Sequence, residues 1–168
     1  AHAQLILTYF ANTLEANTND TPYSMVTAIP DTWWPGTDPP KGNALLAHPW
    51  LAEDLQLAVG DDVTIRYYVM APMRALVETQ AVFQVASILP LGHPLLDPSL
   101  MPDFPGLADS ENCRDWDPGF PLDLDRIREK DETYWDNYGG TPKAFIPLSR
   151  GQALWGNRFG RVTDIRVP

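Results

Sequence analysis

Proline sets the first limit on this chain. Seventeen prolines in 168 residues is roughly twice the average share, and each removes a backbone donor and breaks helix interiors and central strands. Long uninterrupted elements are therefore excluded from much of the sequence. Between Pro30 and Gly42, the prolines at 30, 35, 39 and 40 join Gly36 and Gly42, so no regular element fits and Trp33 and Trp34 fall on a loop. Between Pro90 and Pro121, the prolines at 90, 94, 98, 102, 105, 118 and 121 mark an excursion from any sheet.

Outside those stretches the pattern is mainly that of strands. Gln4 to Phe10 and Tyr23 to Ile29 are apolar and rich in strand formers, joined by a polar Asn/Thr/Asp connection. Pro49 suits the first position of a brief helix carrying Leu51 and Leu55. Gly60 can then take positive φ in a turn that feeds a strand with Val63, Ile65, Tyr67 and Val69 on one face. Leu76 to Leu89 is a long β-type stretch expected to pair antiparallel with it. After the excursion, Asp123 is read as the cap of a helix with Leu124, Ile127, Tyr134, Trp135 and Tyr138 on one stripe and Gly139 behind its last turn. Thr141 to Leu148 reads as a strand, Ser149 with Gln152 as a capping box opening a short helix to Trp155, and Val162 to Val167 as a closing strand.

The expected fold class is α+β (mixed α/β): a β-sheet scaffold with short packing helices and a proline-rich acidic insertion before one longer helix. The length suits one domain, 1–168, with scaffold 1–89 and 141–168 and insertion 90–140. Because the chain opens on Ala1 rather than methionine, an N-terminal part is expected to precede it.

The formal net charge of −10 repels phosphate backbones and argues against nucleic acid as a partner. It is unevenly placed. Asp97 to Asp136 holds 12 acidic and 4 basic residues, giving −8, which leaves 10 acidic and 8 basic elsewhere, giving −2. The scaffold is nearly neutral and the insertion carries the acidity. No run approaches the ~18 apolar residues needed to span a bilayer. A single cysteine, Cys113, cannot form an internal disulfide and identifies no redox compartment.

Searches for chemistry in the sequence end without a site. The acidic residues invite a calcium reading, but Asp109, Glu111 and Cys113 run into Arg114, and Asp115-Trp116-Asp117 into Pro118, where an EF-hand loop needs a glycine. The histidines His2, His48 and His93 lie far apart and form no zinc motif. Cys113 sits beside Glu111 and Asp115, whose charge raises a thiol pKa and quenches reactivity. No nucleophile elbow and no phosphate-binding glycine loop occurs. No catalytic residue, metal or cofactor is expected, and the chain is read as a non-enzyme. The remaining candidates for ligand or partner contact are aromatic. Trp33 and Trp34 could stack on a sugar ring, press into a lipid interface or pack back over the core, and Trp116 in the excursion could face either way.

A family resemblance runs through these elements. The stretch Leu51-Ala52-Glu53-Asp54-Leu55-Gln56-Leu57-Ala58-Val59-Gly60-Asp61-Asp62-Val63-Thr64-Ile65 resembles the "LAxxLxxxVGDxVxI" pattern of FtsX-like, MacB-like ABC-transporter permeases. Phe83-Gln84-Val85-Ala86-Ser87-Ile88-Leu89 stands where the family has "F-x-V-x-G-I-L", with Ser87 replacing the glycine. Ala144-Phe145-Ile146-Pro147-Leu148, Gln152-Ala153-Leu154 and Val162 to Val167 look like the family's closing strand, helix and strand. Leu7 to Leu14, Pro22 to Ala28, Met101 to Leu107 and Cys113 to Asp117 are similar to a subgroup of large bacterial permeases. The resemblance implies a non-catalytic MacB-like periplasmic core domain between two transmembrane helices. It would lie on the extracytoplasmic face of the bacterial membrane and couple ATP-driven motion to substrate export or release. Its implied partners are its own transmembrane helices, a nucleotide-binding subunit reached through them, and a second permease in a dimer. The competing reading is a freestanding ligand- or carbohydrate-binding module that uses the loop tryptophans.

Overall fold

The first two strands, β1 (Gln4–Ala16) and β2 (Asn19–Ile29), form a hairpin from Leu7 opposite Ala28 to Ala16 opposite Asn19. Asn17 and Thr18 close it with φ of 50° and 65°, the two-residue geometry whose twist matches the flanking strands. The expected connection between Phe10 and Tyr23 is thus strand as well. Its polar residues did not read as strand because alternation is lost where both faces are covered, and Asn12, Thr13 and Thr21 are all buried. The fold is seen in a computed structural model that describes residues 2–40, 42–103, 111–113, 121–156 and 160–167.

From the hairpin the sheet rolls up on itself. β6 (Ala144–Pro147) runs parallel to β2 and antiparallel to β3 (Ala44–Ala47). β3 runs parallel to β5 (Leu76–Ile88), and β5 pairs antiparallel with β4 (Asp62–Met70). β4 then returns to β1, Thr13 to Glu15 lying against Arg66 to Thr64, and the six strands close into a barrel. A seventh strand, β7 (Asp164–Arg166), extends the sheet at the start of β1, with Gln4 opposite Arg166.

This closed barrel overturns the expected α+β (mixed α/β) class. The helices α1 (Pro49–Leu55), α2 (Glu129–Tyr138) and α3 (Leu148–Trp155) are short attachments to a mostly β structure. Closure depends on β6, which follows the proline-rich stretch yet slots between β2 and β3. No local periodicity reveals a pairing of that kind, and the closed sheet leaves no exposed edge around its ring.

Strand faces of one parity bring Leu7, Val26, Leu45, Ile65, Phe83, Val85 and Ile146 into the main core, joined by Leu51 and Leu55 of α1. Trp155 at the end of α3 stacks on Tyr9, ring centroids 5.0 Å apart, and meets Tyr67 edge-on at 6.0 Å. Close packing of α3 on β2 requires Gly151, since a Cβ there would lie 2.2 Å from the Ala28 Cβ. Gly151→Ala is expected to destabilise the fold by about 2 kcal/mol despite alanine's better helix propensity, because the neighbour is itself a core residue with nowhere to move. Urea unfolding checks it, and an unchanged midpoint would contradict this packing.

The region after the excursion differs from its expected helix. The Asp123 side chain caps only a 3-10 turn, Leu124–Arg126, by accepting from Asp125 N. The backbone is then extended at Ile127 and Arg128, and α2 begins at Glu129. For α3, Ser149 and Gln152 form no capping box: Pro147 is the N-cap with no side-chain bond, and Gln152 Nε2 instead donates to Arg161 O.

Candidate functional site

Ionic contacts hold α2 against the barrel. Arg128 lies between two carboxylates, donating to Asp54 of α1 at 2.8 and 3.2 Å and to Asp131 of α2 at 2.8 and 2.9 Å. Asp131 also accepts from Arg128 N, closing the first turn of α2. Lys130 pairs with Asp54 as well, and Thr21 Oγ1 of β2 donates to it at 2.6 Å. The two carboxylate side chains are only 3% and 5% exposed, so the acceptors of this network are desolvated and fully engaged.

Beneath that network lies Lys143. Its backbone is tied on both sides as it enters β6: its N–H donates to Met25 O, and its carbonyl accepts from His48 N at 2.9 Å. That double tie leaves its side chain under α2, with the whole residue 4% exposed. The ammonium lies 4.7 Å from the centroid of Trp50 and 4.6 Å from that of Tyr134. Among the described residues no acceptor or carboxylate reaches Nζ within bonding distance; its close contacts are aromatic faces. Burial lowers its pKa to about 8, with Asp131, Cys113 and Asp54 opposing and Arg128 assisting.

The surrounding groups are as deeply buried. Tyr134 donates its hydroxyl to Thr141 O at 2.6 Å and packs against Trp50, His48 and Tyr138. His48 caps α1 by accepting from Trp50 N at Nδ1, an arrangement that puts the imidazole proton on Nε2, which is buried without a partner among the described residues. Burial and then Lys143 lower its pKa to about 4, so His48 is neutral at pH 7. Cys113 is buried, its N–H donating to Glu132. Its thiol is pushed up to about 12, first by burial and then by Glu132, with Lys143 opposing and Asp131 and Asp136 adding. The expected suppression of its reactivity thus comes chiefly from burial.

Lys143, Cys113, Asp131, Tyr134, Thr141 and Ser24 line one cavity of about 20 Å³. The Ser24 hydroxyl is buried and has no hydrogen-bond partner among the described residues. The space is about that of one water, and the Lys143 ammonium beside it is met by aromatic faces. Titratable groups perturbed by burial and a specific charge partner make this the candidate site, although structural ion-pair networks shift such groups as well. Among the described residues, no group of three His, Cys, Asp or Glu side chains could hold a metal ion.

The aromatic candidates from the sequence lie elsewhere. Trp33 and Trp34 are half-buried against the cluster of Ile6, Ile29, Leu46 and Phe145. Trp33 borders a hollow of about 440 Å³ with His93 and Arg166, whereas Trp34 borders another of about 550 Å³ with Asp38 and Asn43. The two rings thus serve different surfaces. Trp116 lies outside the described residues. Lys143 was not singled out in the sequence; its one visible signal is a lone charge between Thr141-Pro142 and the apolar Ala144-Phe145-Ile146.

No family model and no curated protein matches this chain.

Proposed function

We propose that the chain is a non-catalytic extracytoplasmic domain of an FtsX-like, MacB-like ABC-transporter permease, passing ATP-driven motion to the export or release of a substrate. The observation that carries this reading is the antiparallel pairing of β7 with the start of β1. With Gln4 opposite Arg166, polypeptide continuing on either side leaves the barrel from one place. A domain held in a loop between two transmembrane helices needs that exit geometry. Further support comes from the residue-level resemblance through α1, the Gly60 turn and β4. Among the described residues no helix is long and apolar enough to cross a membrane, so on this reading the spanning helices belong to adjoining sequence. The partners are those helices, the nucleotide-binding subunit and a second permease.

Antibody raised against the purified domain tests the proposal in cells that encode it. The reactive band should be much larger than 18.8 kDa, resist carbonate extraction from the membrane pellet, and be digested by protease added to spheroplasts. A soluble band near the mass of the chain, or one protected in intact spheroplasts, would overturn it.

A further inference from the structure

We infer that the tip of the β4–β5 hairpin inserts into the lipid surface of a bilayer. β4 pairs with β1 over Thr64–Arg66, and β5 pairs with β3 over Gln84–Ile88. Among the described residues, the ladder from Tyr67 opposite Thr79 to Met70 opposite Leu76 therefore has no further strand beside it. This arm projects past the closed ring, and Ala71 N donates to Ala75 O across its loop. Met70, Met73, Leu76 and Val77 are all exposed there, Met73 at 98%. Met73 and Arg74 have φ of 65° and 58°, a conformation that side-chain-bearing residues adopt only at a cost. Strain of that kind is held at sites with a task, and here it turns an apolar side chain outward.

Shape and charge select lipid over a protein partner. Met70 and Leu76 lie on one face of the arm, Val77 on the other, and Met73 at its end. Covering both faces and the end takes a medium that surrounds the tip, and four side chains fall well short of the roughly 800 Å² per partner that a stable protein interface buries. In a chain of net charge −10, Arg74 is the sole charged residue from Tyr67 to Val77. The first acid is Glu78, opposite Tyr68 and accepting from Asn12 at 3.1 Å. At about 3.4 Å per residue the Met70–Leu76 pair stands about 7 Å beyond Glu78, and the loop reaches further. Apolar side chains enter the boundary of headgroups and acyl chains to a similar depth, roughly 5–10 Å, and Arg74 can extend back to the phosphates. The tip also lies where β1 begins, since β4 runs antiparallel to β1 and the Tyr9 hydroxyl donates to Tyr68 O. That end of the barrel carries the seam of Gln4 with Arg166 and the exposed Leu5, Ile165 and Val167. Asp31, Asp97 and Asp164 stand beside the seam as well, so the attraction rests on the apolar tip, with Arg74 adding a preference for anionic lipid. The inference does not need the permease reading.

Co-sedimentation of the 168-residue chain with phosphatidylcholine vesicles, with and without one-fifth phosphatidylglycerol, tests it at physiological ionic strength. The chain should pellet saturably with both. Met73→Asp should weaken binding more than tenfold, and Arg74→Glu should weaken it only where phosphatidylglycerol is present. Both side chains are exposed, so each variant should unfold at the wild-type midpoint. Met73→Trp gives a readout that surface adsorption does not move: its emission, taken as the difference from wild type, should shift to the blue on vesicles and be quenched by lipids brominated on the acyl chain. Absence of binding to either vesicle, equal binding by wild type and Met73→Asp, or an unquenched Met73→Trp overturns the insertion. A dimer in solution that Met73→Asp dissolves would also overturn it and give the tip to a second copy. Vesicle binding by this chain requires no transmembrane helix, so this result and the spheroplast result can fail separately.

Discussion

Replacing Asp54 by alanine should lower the unfolding free energy by about 3 kcal/mol, the low end of what breaking a buried ion pair costs. The carboxylate accepts from Arg128, Thr21 and Lys130 while its side chain is 3% exposed. Deleting it strands part of Arg128 in a desolvated place, although Asp131 still engages the guanidinium and its 32% exposure admits some water, which keeps the loss moderate. Burial by itself would raise the Asp54 pKa, but the hydrogen bonds from Arg128, Lys130 and Thr21 outweigh it and hold the carboxyl below its usual range. The sign follows from that depression. The stabilisation is fully present above the unfolded value near 3.8 and is lost as pH falls through the lower folded value, so wild type and Asp54→Ala should converge in strong acid. Urea titrations across that range measure it. A double-mutant cycle with Arg128→Ala should show strong coupling, and additive losses would mean that the ion pair does not tie α2 to the barrel.

Lys143→Met should act in the opposite direction, raising stability at pH 7 by about 2 kcal/mol, because an apolar side chain of similar length replaces a buried ammonium that has no ion-pair partner among the described residues. The pH dependence separates this from generic repacking. Lys143 binds its proton less tightly folded, about 8, than unfolded, 10.5. The unfolded state therefore holds the extra proton between those values, and stability rises with pH by about 1.4 kcal/mol per unit. Cys113 has the reverse shift, from 9.0 to about 12. Above pH 9 the unfolded thiol ionises first, and stability falls at the same rate. Wild type should therefore gain stability from pH 8 to 9 and then level off to pH 10. Cys113→Ala should keep rising over that last unit, and Lys143→Met should fall. Parallel profiles for all three proteins between pH 9 and 10 would show that neither group titrates as its burial requires. A stabilising replacement at this position would also show that the wild-type lysine is kept at a cost to the fold, as functional groups commonly are.

What the sequence made legible was local. Pro49 at the start of α1, Gly60 with φ of 98° in its turn, Gly139 behind α2 and the β4 alternation of Val63, Ile65 and Tyr67 each announce themselves through neighbouring residues. The barrel could not be read because its closure rests on distant pairs, Val26 with Ala144 and Leu14 with Ile65. The turn-side part of the β1–β2 hairpin, between Phe10 and Tyr23, was hidden by its polar residues; Asn12, Thr13 and Thr21, for example, are buried inside the fold. The candidate site was hidden for the same reason. Trp50 comes from α1, Tyr134 from α2 and Lys143 from the approach to β6, and only tertiary packing brings them together. Proline gave the right warning about long helices, but it could not say that the chain would answer with a rolled sheet.

The joint between β1 and β7 also has a mechanical character. Its three residue pairs lie side by side, and the chain ends sit opposite each other at Gln4 and Arg166. Tension that draws those ends apart loads the hydrogen bonds one after another, as in opening a zipper, rather than all together in shear. The seam therefore yields at low force while the closed ring behind it stays intact. Any machine gripping this domain by its two ends would first lengthen a short, reversible tether before it strained the barrel.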